Sequence, residues 1–108
     1  MLWLMLMQDE LRAWEQRVGC WQARCQMCQR DAWQLVFRIW RTKGNGLSSP
    51  TPWGIPYGEG FQVRCSGCGA ATNVAHPSTW VPQIGPAYQY ENHPPVIATP
   101  QYLAMAFR

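Results

Sequence analysis

The chain has 108 residues, 47% of them hydrophobic and 13% aromatic with seven Trp, a size that supports one domain with a modest core and excludes two full ones. Only 14% of the residues are charged, so disorder driven by low hydrophobicity and high charge is excluded as well. Positive charge is concentrated between Gln16 and Lys43, where Arg17, Arg24, Arg30, Arg38, Arg41 and Lys43 stand against Asp31 alone, within a net charge of +3, so an electrostatic partner would meet the first half.

Residues 1–7 are an apolar run without a basic leader, and Asp9 and Glu10 follow with no small-residue cleavage site. The run therefore reads as neither a secretory signal nor a membrane span, and the expected setting is intracellular (cytoplasmic), or within a virion. Residues 2–18 read as an amphipathic helix. Leu4, Met7, Leu11, Trp14 and Val18 recur at spacings of three and four, while Gln8, Asp9, Arg12, Glu15 and Gln16 fill the other side. Gly19 is a natural stop. Leu2, Trp3, Met5 and Leu6 widen the apolar side, which makes Leu4, Met7, Leu11 and Trp14 candidate subunit contacts as well as core residues.

An internal repeat follows at an offset of 40 residues. Trp21-Gln-Ala-Arg-Cys-Gln-Met-Cys28 matches Phe61-Gln-Val-Arg-Cys-Ser-Gly-Cys68 as aromatic-Gln-apolar-Arg-Cys-x-x-Cys, which implies two equivalent units. Before each first Cys the residues alternate apolar and polar, so each unit is a strand running into a turn. Residues 32–41 continue as a strand carrying Trp33, Leu35, Phe37 and Ile39 on one face. Residues 42–60 hold five Gly and three Pro and read as an irregular loop, in which Trp53 and Tyr57 are candidate docking residues. Residues 71–75 form a return strand ended by His76-Pro77.

From Pro77 onward lie six of the nine prolines, which exclude regular helix or central strand through most of the segment. It also carries Trp80, Tyr88, Tyr90, Tyr102 and Phe107, poorly suited to float in water, so it is expected to lie over its own domain or a neighbouring subunit.

Cys thiolates separated by two residues in a tight turn place two sulfurs on one metal, and Cys25, Cys28, Cys65 and Cys68 supply two such pairs. Gly67 and Gly69 offer the second turn positive backbone angles; Met27 and Gln29 occupy those places in the first. The two C-x-x-C pairs resemble the zinc-ribbon family over about residues 20–76. That resemblance implies two strand-turn-strand units sharing one zinc ion (Zn2+), with loop 42–60 accounting for the long separation of the pairs. The spacing of Cys20, Cys25 and Cys28 also suits an iron–sulfur cluster, and disulfides or a redox-active dithiol are further readings. Cys20 has no cysteine at its repeat position, Gly60, and reads as a small buried apolar residue. His76 and His93 read as structural rather than as replacement ligands.

The expected fold is a small β-rich α+β domain. An amphipathic helix occupies residues 1–19, a four-cysteine zinc ribbon residues 20–76, and an extended Pro- and aromatic-rich arm residues 77–108. Four thiolates leave a zinc ion no open position for substrate, and no catalytic motif is present, so the chain reads as a non-enzyme. The expected function is a zinc-stabilised structural or adaptor protein that docks into a larger protein assembly, such as a phage tail or baseplate. Leu4, Met7, Leu11, Trp14, Trp53, Tyr57, Trp80, Tyr88, Tyr90, Tyr102 and Phe107 would meet the partner. The alternative is a nucleic-acid-binding ribbon of the transcription or ribosomal type using Arg24, Arg38, Arg41 and Arg64. On the first reading, deletion of residues 77–108 would spare metal binding and abolish assembly.

Overall fold

The computed structural model describes residues 11–43 and 55–106. Six strands, β1 (Leu11–Arg24), β2 (Asp31–Lys43), β3 (Ile55–Cys65), β4 (Ala71–Val74), β5 (Gln89–Tyr90) and β6 (Val96–Ile97), form one antiparallel sheet. The order is β4-β3-β2-β1-β5, with β6 also paired to β1. Each half of the sequence repeat is a hairpin turning through its C-x-x-C, β1 into β2 and β3 into β4. Because β2 and β3 are antiparallel, with Gln34 opposite Cys65, the start of β2 adjoins the end of β3. Both cysteine turns therefore lie at the same end of the sheet.

The helix expected over residues 2–18 is not formed where the chain is described, since residues 11–18 belong to β1, and residues 1–10, with Leu4 and Met7, lie outside the described residues. Leu11 pairs with Lys43, Trp14 with Trp40 and Arg24 with Asp31, in a register broken only between Arg17 and Gly19. That bulge at Val18 inverts the alternation. Trp14 and Trp21, seven residues apart, consequently share one sheet face, a spacing that imitates helical periodicity. Tertiary pairing to a strongly β-forming partner overrides the local pattern.

The irregular loop expected over residues 42–60 is also shorter than read. β2 continues to Lys43 and β3 begins at Ile55, with a second bulge where Gly58 takes a φ of 64°. Tyr57 is thus a strand residue opposite Arg41. Trp53 lies outside the described residues.

Both faces of the sheet are covered by the chain beyond β4. On the first face, Val36, Val81 and Tyr88 form a buried cluster packed by Val18, Trp21, Val63, Trp80 and Ile84. Gly19 belongs to this face: a Cβ there would overlap the ring and hydroxyl of Tyr88. The covering segment is not an extended arm but a run of short turns, a 3-10 turn at Pro77–Thr79, α1 (Val81–Ile84) and a 3-10 turn at Gly85–Ala87. Each starts with a proline in its first two positions, where the missing N–H has no helical partner to lose. The chain then follows the outer edge of β1. Glu91 N–H donates to the Val18 carbonyl and Ala98 N–H to that of Ala13. It ends on the opposite face in α2 (Pro100–Ala106).

Candidate metal centre

At the shared end of the sheet the sulfurs of Cys25, Cys28, Cys65 and Cys68 all lie within 4.8 Å of one another. Cys25 and Cys68 are 3.8 Å apart, Cys28 and Cys65 3.9 Å. A tetrahedral ion with metal–sulfur bonds of about 2.3 Å requires sulfur–sulfur edges of about 3.8 Å, so the four residues fit one metal ion. A disulfide needs about 2.05 Å. All five cysteines, Cys20 included, are free thiols.

The two turns are built alike. Cys25 N–H donates to the Arg30 carbonyl and Gln29 N–H to that of Cys25; in the second turn Cys65 N–H donates to Ala70 and Gly69 N–H to Cys65. Gln29 and Gly69 occupy the equivalent left-handed position, with φ of 60° and 77°. Glycine takes that conformation freely whereas Gln29 is held in it, by its side-chain amide on the Gln26 carbonyl at 2.6 Å and by Arg24 on its oxygen at 3.1 Å. Gly67, expected to need a positive φ, does not adopt one. It instead donates its N–H toward the Cys65 sulfur at 3.4 Å.

The centre is buried at Cys25 and Cys65, half-buried at Cys28 and exposed at Cys68. The backbone N–H of Cys68, aided by that of Gly67, brings the Cys65 thiol down to about 6 against the resistance of burial. At Cys68 the Ala70 N–H favours the thiolate, but local desolvation of the sulfur and its three neighbouring sulfurs together prevail and push it up to about 11. One thiol ionises readily and the crowd of sulfurs opposes the next, so four thiolates in this space call for a cation. Cys20 is different: it is buried beside β5, its thiol is held above the ordinary range chiefly by desolvation, and it stands outside the cluster.

The other expected site residues scatter. Trp80 and Tyr88 pack into the first-face core, with Trp21 to Trp80 ring centroids 5.5 Å apart. Trp14 donates its indole N–H to the Thr42 hydroxyl at 3.0 Å. Tyr90 is 79% exposed, Tyr102 lies on α2, and Phe107 is outside the described residues. Among the arginines, Arg24 is exposed at the first turn, and Arg38 pairs with Glu59 and lies 4.4 Å over the Trp40 ring. Arg41, half-buried on β2, also has a partner. Arg64 is buried, paired with Glu15 and sandwiched 3.9 Å from the Phe37 ring and 3.8 Å from the Tyr102 ring. His76 caps the 3-10 turn at Pro77–Thr79 through Ser78, and His93 bonds Glu91; neither joins the sulfur cluster.

Neither family models, nor curated proteins, nor solved structures match this chain.

The polar system around Arg64 is a feature that the alternation of residues 61–64 did not reveal. That pattern assigns Gln62 and Arg64 to a solvent face, yet Gln62 is fully buried beneath α2. Its amide donates to the Tyr102 carbonyl at 2.7 Å, and the Thr99 hydroxyl donates to Glu15 at 3.1 Å. The available signal was compositional: Tyr102, Leu103 and Met105 at helical spacing had to cover some face of the sheet.

Proposed function

We propose that this protein is a zinc-ribbon-like, non-enzymatic structural or adaptor protein, in which a single zinc ion closes the end of the sheet and an outer rim of apolar residues meets a protein partner. The observation that carries the metal assignment is the compact cluster of four sulfurs, with two edges of 3.8 and 3.9 Å and all within 4.8 Å, since a multi-iron cluster spreads its thiolates over several metal atoms. Four thiolates saturate zinc and leave no position for substrate, which favours a structural over a catalytic ion. Support for a protein partner comes from Tyr90, Val96 and Ile97, which are 79%, 53% and 61% exposed along the outer edge of β1. Large apolar side chains cost solvation free energy there unless something covers them. Nucleic-acid binding is weakened as a reading by the commitment of Arg64 to Glu15, Arg38 to Glu59 and Arg17 to Glu91.

Elemental analysis should return one zinc per chain with no visible absorption band; iron with visible absorption would overturn the zinc assignment. Recovery of the tagged protein from its native source should yield a stoichiometric protein partner that survives nuclease and high salt, and Val96→Asp with Ile97→Asp should release it. A partner lost with nuclease, or with steep salt dependence, would shift the reading to nucleic acid.

A further inference from the structure

The two cysteine turns have different surroundings. Among the described residues, the side-chain bonds that brace the first come from its own Arg24 and Gln29, to Gln29 and the Gln26 carbonyl. The second is held from outside by the far end of the chain: the Tyr102 hydroxyl on α2 donates to the Gly69 carbonyl at 3.0 Å. Gly69 is the left-handed residue that directs the chain away from Cys68. The ring of the same tyrosine stacks on Arg64, immediately before Cys65. Three further bonds tie α2 and its lead-in residue to the sheet, from Gln62 to the Tyr102 carbonyl, from Asn73 to the Met105 carbonyl and from Thr99 to Glu15. A helix of seven residues is marginal alone, so α2 persists through these contacts.

We propose that Tyr102 is a positioning residue for the metal centre, and that metal loading at Cys65 and Cys68 and closure of α2 over the sheet stabilise each other. This rests on the reading of the four cysteines as a metal site. Loss of a hydrogen bond in the shell around a metal's ligands typically costs about 10–100-fold in metal affinity. If α2 steadies the second turn, then by linkage the ion steadies α2 by the same factor. The effect is one-sided, because residues 77–88 on the opposite face have no such bond to either turn among the described residues.

The test compares the full-length protein with Tyr102→Phe, which keeps the ring on Arg64 and removes only the bond to Gly69. Zinc affinity, measured by competition with a chromophoric chelator, should fall about tenfold in Tyr102→Phe. The cobalt-substituted protein should keep its thiolate spectrum. Tyr88→Phe, on the far face, should leave affinity unchanged. Hydrogen exchange should show residues 100–106 losing protection when zinc is removed from the wild-type protein, while residues 77–88 keep theirs. Unchanged affinity in Tyr102→Phe, or loss of protection by both segments together, would overturn the coupling. A wild-type protein that binds neither zinc nor cobalt would overturn the metal centre itself, a separate and recognisable failure.

Discussion

Two residues with the same chemistry can have opposite roles here, and mutation separates them. Cys68 belongs to the sulfur cluster while Cys20 does not. Cys68→Ser should lose the bound ion and unfold at a lower temperature while keeping a cooperative transition, whereas Cys20→Ser should keep one ion per chain; elemental analysis and thermal denaturation read both outcomes. The Arg17–Glu91 pair bonds at 2.7 and 2.9 Å. Arg17, with help from His93, brings the Glu91 carboxyl down to about 2 from an ordinary 4.5. A depressed carboxyl stabilises the fold above the unfolded-state value and loses that contribution as pH falls from about 4.5 toward 2. Glu91→Gln should therefore cost about 1 kcal/mol at neutral pH, the pair being partly solvated, and the difference from wild type in urea midpoint should vanish toward pH 2.

The elements are specified by contacts that single residues make possible. In β1, Gly19 leaves room for Tyr88 to cross the strand. Gly19→Ala should cost roughly 2–4 kcal/mol through displacement of that ring. In the double variant with Tyr88→Ala the two costs should fall short of additivity, as a double-mutant cycle would measure. Beneath α2, Glu15 and Arg64 are a buried ion pair. Arg64→Met alone should cost about 3–5 kcal/mol by stranding the carboxylate, and adding Glu15→Leu should restore part of it. Denaturant unfolding of the three variants checks this.

At the scale of the whole molecule, the long axis is 49 Å, close to the roughly 46 Å that the 14 residues of β1 span at about 3.3 Å each. A sheet this long buries both faces only because the chain after β4 covers one, passes the edge of β1 and covers the other. Deletion of residues 77–108, expected from sequence to spare the metal site, should instead expose Val36 and Val63 on one face and Arg64 and Gln62 on the other. The truncated chain should be insoluble or bind the dye ANS, and should hold zinc far more weakly than the full chain; retention of native affinity would return the segment to a purely external role. Among the described residues no helix is long and apolar enough to cross a membrane.

The clustering of the four cysteines, the equivalence of the two turns, and the strands around 32–41 and 71–75 were legible in the sequence because each is a local property: cysteine spacing, repeat offset, alternation. Less was legible where packing is two-sided. The bulge at Val18 gives strand residues an apparent helical spacing, and the prolines, which exclude long regular elements, instead open short helical turns. The burial of Arg64 depends on a helix 38 positions later in the chain, at Tyr102. Only tertiary structure decides which polar side of a strand faces water, because that depends on where a distant, locally ambiguous segment comes to rest.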